Sequence, residues 1–268
     1  DWSSDVCSSD LFEATVPGSI HTDLIAAGII GDIRIDGTEA EQEWIRNADS
    51  LYTATIPAKS GAGNFELKFE GLDTLATVSV NGKVKLQSEN MHRAYSIDVS
   101  DVVNSGFDLA VAFKAPLPEA LKRQVEMGKY PNPYDMPYNY FRKMACSFGW
   151  DWGPITVTSG IWKPIWLTQW DQGILDEVGL VSDVVNGVPQ LRIRTVGRGS
   201  AVDVEVRISG HGKEKVLQTK LGSDEVIFCE GFELWHPRGF GDATLYSVDV
   251  YLKDTDGNIV DEIGRAHV

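Results

Sequence analysis

Asn64-Phe65-Glu66-Leu67-Lys68-Phe69-Glu70, followed by Ala76-Thr77-Val78-Ser79-Val80-Asn81-Gly82, decides the fold class. In the first segment Phe65, Leu67 and Phe69 alternate with Glu66 and Lys68, the two-residue period of a strand with one apolar and one polar face. The second alternates likewise and runs into Asn81-Gly82, a two-residue hairpin turn ahead of Val84 and Leu86. Outward from this hairpin the period recurs in 52–56, 94–99 and 107–113, with Asp101, Asn104 and Gly106 as turn residues between the last two. Short strands at regular spacing with little helix imply an all-β sandwich.

Towards the N-terminus, Val16-Pro17-Gly18 reads as a turn, after which Ser19 caps a short helix with Ile20, Leu24 and Ala27 on one face. Asp23 lies near its positive end and Gly28 stops it. His21 reads as a surface or second-layer residue rather than a ligand, because no histidine or cysteine stands at metal spacing from it. The acidic segment 38–50 reads as a solvated loop or helix anchored by Trp44.

Residues 115–140 interrupt the strand rhythm with a helix-like run at 119–127 and the loop Tyr130-Pro-Asn-Pro-Tyr-Asp-Met-Pro-Tyr-Asn-Tyr140. Compact domains keep loops of this length mainly for function. It leads into Cys146-Ser-Phe-Gly-Trp150-Asp151-Trp152-Gly-Pro154. Residues 162–170 then form a last strand, with Trp162, Ile165 and Leu167 able to face inward. A second series follows at 174–182, 188–196, 202–208, 214–221, 225–229 and 246–252, which fits an immunoglobulin-like sandwich carrying a bulky loop at 234–241.

The chain of 268 residues, 43% hydrophobic, is long enough for a sizeable core. Its formal charge of −15 is the wrong sign for nucleic acid or an anionic membrane surface. No apolar run reaches the roughly 20 residues of a membrane-spanning helix, and the first residues lack a signal peptide's basic and apolar regions. Cys7, Cys146 and Cys229 form no CxxC pair, so they give neither a disulfide framework nor a zinc site. No metal and no cofactor is expected.

The two ends have a reading of their own. Residues 5–11 can be encoded by GACGTGTGCTCTTCCGATCT, and its reverse complement preceded by one G encodes residues 262–268. One DNA string read in both directions accounts for both ends, as a sequencing-library adapter would. Residues 1–11 and 262–268 are therefore set aside, which leaves domains at 12–170 and 171–261. Removing Asp1, Asp5, Asp10, Glu262 and Arg265 moves the charge of −15 only to −12.

The tryptophan-rich motif admits two readings. Flat apolar rings around one carboxylate suit the C–H faces and hydroxyls of a sugar, and on an extended backbone Trp150 and Trp152 point to one side and Asp151 to the other. Equally, Gly149 and Gly153-Pro154 make a sharp turn, where aspartate caps and large aromatics fill cores. As a catalytic apparatus the motif is incomplete. Glycoside hydrolysis usually takes two facing carboxyl groups, and the sequence nominates no second one; nor is there a GxSxG, HExxH, P-loop or Rossmann pattern.

Ala14-Thr-Val-Pro-Gly-Ser-Ile-His-Thr-Asp-Leu24, Glu43-Trp-Ile-Arg46, Phe69-Glu-Gly-Leu-Asp-Thr-Leu-Ala-Thr-Val78, Asn90-Met-His-Arg93, Arg142-Lys143 and Gly149-Trp-Asp-Trp-Gly-Pro154 together resemble the N-terminal part of glycoside hydrolase family 2 β-mannosidases. Leu234-Trp-His-Pro-Arg-Gly-Phe-Gly241 with Leu245-Tyr246 resembles that family's immunoglobulin-like domain. The resemblance implies a jelly-roll (galactose-binding-like) sandwich, an immunoglobulin-like sandwich, and then a TIM barrel carrying an acid/base glutamate and a nucleophilic glutamate. It further implies an exo-acting, retaining hydrolase of terminal β-D-mannose residues. The catalytic residues would lie on the barrel, so this chain contains none and is expected to be inactive alone. By the same match Asp151 would reach a terminal mannose's hydroxyls, with Trp150 and Trp152 shaping the loop or the sugar platform. The implied partners are a mannose-containing oligosaccharide or glycoside and the chain's own barrel. A stand-alone carbohydrate-binding module and a sibling β-galactosidase or β-glucuronidase remain the alternatives.

Overall fold

The computed structural model describes residues 2–5, 11–35, 37–150 and 153–267, with 2–5 and 265–267 described by their backbone. The chain divides into two compact units, Asp1–Gln169 and Trp170–Val268. No helix among the described residues is long and apolar enough to cross a membrane.

The first unit contains β1 (Trp2–Asp5), β2 (Phe12–Ala14), α1 (Ile20–Ala26), α2 (Thr38–Glu41), β3 (Ser50–Ile56), β4 (Asn64–Phe69), β5 (Ala76–Val80), β6 (Lys83–Ser88), β7 (Tyr95–Asp98), β8 (Phe107–Phe113), α3 (Pro116–Met127) and β9 (Ile165–Trp170), which runs on across the boundary. One sheet has the order β2-β1-β3-β8-β5-β6 and the other β7-β4-β9. Alternation puts Val78, Val80, Leu109, Val111 and Phe113 of the first sheet into one core with Phe65, Leu67, Phe69 and Ile97 of the second. Each such large side chain, once buried, contributes roughly 1.5–3 kcal/mol. Asn81 and Gly82 have φ of 47° and 75°, the positive values that a two-residue hairpin turn requires. This is the all-β, jelly-roll-type sandwich expected from the sequence.

α1 is capped as the sequence implies, and Thr22 completes a capping box: the Ser19 hydroxyl accepts from the Thr22 N–H, and the Ser19 N–H donates to the Thr22 hydroxyl. Ile20 and Leu24 pack on Ile45 and Phe12. Ala27 is the exposed C-cap rather than part of the apolar face. Two further expectations are corrected. Trp44 is 42% exposed and does not anchor the acidic segment; Ile45, 3% exposed, does so, because the 3-10 turn at 45–47 directs it inward. Leu167 is exposed as well, since β9 is an edge strand whose second half passes beyond the core that Ile165 still touches.

The second unit contains β10 (Gly173–Val185), β11 (Val188–Gly199), β12 (Asp203–Gly210), β13 (Lys213–Lys220), β14 (Asp224–Phe228), β15 (Ser247–Lys253) and β16 (Ile259–His267). The sheets β10-β11-β14 and β13-β12-β15-β16 enclose Leu191, Ile193, Val204, Val206, Ile208, Ile227, Val248, Val250 and Leu252. The first, second and fifth strands share one sheet, and the fourth joins the third on the other. This two-sheet arrangement is compatible with an immunoglobulin-like sandwich. Trp2–Asp5 pairs with β2 and β3, and β16 pairs with β15 as far as His267. Such ladders are made by main-chain groups, which any residue but proline supplies.

Candidate functional site

The motif loop leaves the Pro/Tyr-rich segment at Tyr140, which organises that segment: its hydroxyl donates to the Gly128 carbonyl (2.7 Å) and accepts from the Tyr130 N–H (3.0 Å), and its ring stacks on Tyr130. A 3-10 turn at 145–148 follows. Gly149, at φ 113°, then turns the chain outward so that Trp150 stands 42% exposed. The ring of Tyr134 lies 5.5 Å from that of Trp150, tilted by 47°. The two aromatic elements singled out in the sequence therefore meet, and both residues remain partly exposed. Asp151 and Trp152 lie outside the described residues. Trp150 and Gly153 on either side of them form a narrow bridge.

The stem of the loop is closed by two ties. The Val157 N–H donates to the Ser147 carbonyl at 2.8 Å. Further down, Lys143, whose side chain is fully buried, donates from Nζ to both oxygens of Asp73 (2.5 and 2.6 Å) and to the Thr158 carbonyl (2.7 Å). The Thr158 hydroxyl also donates to Asp73 Oδ2 at 2.7 Å, and the main chains of Asp73 and Gly160 exchange two hydrogen bonds. Burial pulls the Lys143 ammonium below its ordinary value, with Asp73 opposing. On the far side Ile155 N–H donates to Glu39 Oε1 at 2.7 Å.

Residues that the sequence quoted separately become neighbours here. Met91 N–H donates to the Arg142 carbonyl, and the Met91 carbonyl accepts from the Trp162 indole at 3.0 Å. The Asp73–Lys143 pair was not found by pattern reading, because its members are 70 residues apart and neither stands in a recognisable spacing. The one local signal is a lone carboxylate, Asp73, between Leu72 and Leu75. Asp23 is more than the helix-end charge that its position in α1 suggests. It is buried, accepts from Thr15 N–H and Tyr52 hydroxyl, and burial raises its pKa.

His21 is not a surface residue. It is 4% exposed, and burial, with Lys143 adding to it, lowers its pKa to about 4. Between pH 6.5 and 4 the unfolded chain then binds the extra proton, so stability is full above pH 6.5 and falls as pH drops. The loss approaches about 3 kcal/mol. Protonation of Asp23 acts in the opposite sense, so the variant His21→Gln is the check: its urea midpoint should fall less across this window than that of the unmodified chain.

Among the described residues no cluster of histidine, cysteine or carboxylate groups can hold a metal, and Cys146 and Cys229 are free thiols. In the second unit the loop at 234–241 borders a pocket of about 300 Å³ lined by Phe232, Glu233, Trp235 and Tyr246 among others.

The profile described as glycosyl hydrolase 2 galactose-binding domain-like matches residues 2–163. β-Mannosidase B of Aspergillus terreus is 30% identical over 269 residues, covering 94% of this chain and 31% of that protein. The crystal structure of β-D-mannosidase from Dictyoglomus thermophilum superposes with a TM-score of 0.89 at 28% identity, over 98% of this chain and 34% of that one. The β-D-glucuronidase of the same organism, at 15% identity and a TM-score of 0.60 over 98% of this chain and 41% of its own, shares the fold alone. The chain thus spans about a third of the length of these mannosidases. It belongs to the glycosyl hydrolase 2 galactose-binding domain-like family.

Proposed function

We propose that this chain is the N-terminal part of an exo-acting, retaining β-mannosidase, in which the first unit lends a substrate-contacting aspartate, Asp151, to a catalytic barrel outside this sequence. The observation that carries the reading is the likeness to a β-D-mannosidase over 98% of the chain at a TM-score of 0.89. The exposed pair Trp150 and Tyr134 supports it, because ring faces of this kind suit the C–H face of a pyranose. So does the form of the loop, whose turn at Gly149 leaves Trp150 exposed.

Chemically, Asp151 acts as a positioning and specificity group. An ionised carboxylate accepting two sugar hydroxyls makes short, directional hydrogen bonds, and proton transfer and nucleophilic attack belong to the barrel's two glutamates. By itself the chain is inactive. In the full-length enzyme Asp151→Ala is expected to lower kcat/KM for a β-mannoside by about 100-fold, as loss of hydrogen bonds to a charged group implies. The unfolding midpoint should stay unchanged. An unaltered kcat/KM would remove Asp151 from the site, and hydrolysis of β-galactosides or β-glucuronides in place of β-mannosides would move the enzyme to a sibling activity.

A further inference from the structure

Both legs of the loop that carries Trp150 end on one side chain. Lys143 on the ascending leg and Thr158 on the descending leg each bond the Asp73 carboxylate, and Lys143 also bonds the Thr158 carbonyl directly. Asp73 belongs to neither leg. It sits at the end of the segment following β4, where its main chain is bridged to Gly160. Every strong valence of the group is used within it: the ammonium meets Asp73 and Thr158, and Asp73 Oδ1 also accepts from the Thr74 hydroxyl.

Burying an ammonium and a carboxylate together costs desolvation that an apolar pair would not incur, so stability alone is a poor reason for such a pair. What it supplies is a single geometry. Main-chain bonds fix the ascending leg to residue 91 and the descending leg to residues 18–20 and 73. Those bonds do not join one leg to the other; the Lys143–Thr158 contact and the Ser147–Val157 bond above it do. We propose that Asp73, Lys143 and Thr158 are positioning residues: a clamp that closes the stem of the loop and so fixes where Trp150 and Gly153 stand. The consequence for sugar binding rests on the role of Asp151 proposed above; the clamp itself does not.

The test is amide hydrogen exchange on the 268-residue chain, followed residue by residue, with Thr158→Val as the variant. It keeps the side-chain shape and removes the hydroxyl bond to Asp73. Val157 N–H, which closes the stem, and Gly149 N–H are expected to exchange about tenfold faster, with the strand amides of Val78 and Val111 within twofold of their original rates. Lys143→Met should give the same ranking with a larger effect, read as the ratio of stem to strand rates because this change also weakens the sandwich. Unchanged stem amides, or stem and strand amides accelerating equally, would overturn the clamp.

In the full-length enzyme Thr158→Val is expected to lower kcat/KM for a β-mannoside about tenfold at an unchanged unfolding midpoint. If Asp151→Ala lowers kcat/KM while Thr158→Val loosens the stem without changing it, the positioning role fails and the reading of Asp151 stands. If the stem loosens and neither variant alters activity, the clamp stands and the reading of Asp151 fails.

Discussion

Lys143→Ala is expected to destabilise the first unit by about 3–5 kcal/mol, the range for leaving one member of a buried ion pair without its partner. The side chains of Lys143 and Asp73 are 0% and 4% exposed, so water cannot take the place of the missing ammonium. The Asp73 carboxylate would keep only the hydroxyls of Thr74 and Thr158, and a cavity would add to the loss. The paired substitution Asp73→Leu with Lys143→Met removes both charges, and most of the lost stability should return. Urea unfolding followed by tryptophan fluorescence suits this measurement, because Trp44, Trp150, Trp162 and Trp166 all lie in the first unit. A single-variant loss below about 1 kcal/mol would mean that the pair is solvated, which its burial forbids.

Gly160→Ala is the second large effect, at about 3–5 kcal/mol. Gly160 has φ of 143°, which residues with a β-carbon rarely adopt, and a β-carbon built there would lie 3.0 Å from both Ser19 Cα and the Tyr52 hydroxyl oxygen. Tyr52 is fully buried, and its hydroxyl donates to Asp23 at 3.0 Å. The ring has nowhere to retreat without breaking that bond. Overpacking of about 1–3 kcal/mol therefore adds to a buried polar group left unsatisfied at about 1–3 kcal/mol. The companion variant Tyr52→Phe, which removes the hydroxyl in the way, should make Gly160→Ala markedly less harmful, a coupling that a double-mutant cycle measures.

What could be read from sequence was whatever has a short period. The alternation of Phe65, Leu67 and Phe69, and of Phe107, Leu109, Val111 and Phe113, states which face is buried, and the Asn81-Gly82 turn fixes the register of its hairpin. The cap at Ser19 is equally local. The missed features are those in which distant segments decide a residue's surroundings. His21, Asp23 and Asp73 look like ordinary polar residues along the chain, yet all three are buried, because the helix α1 and residues 157–161 close over the same end of the sandwich. Trp44 failed for the opposite reason: size suggested an anchor, and a single 3-10 turn gave that place to its neighbour Ile45. In the candidate site, composition pointed to the loop and to Trp150, while its attachment to Asp73 had no local signature.

That attachment also sets when the loop can take shape. Its ties join residues 70 and 85 positions apart, so each needs the sandwich already assembled before the closure entropy of so long a segment is recovered. The β5–β6 hairpin pairs locally, but β3 with β8 and β4 with β9 close segments comparable in length to the loop's own, so the Trp150 loop is fixed together with, and not ahead of, the sandwich that carries it. Asp73 is thus the latch whose release sets how fast the Trp150 loop opens while the sandwich beneath it stays folded.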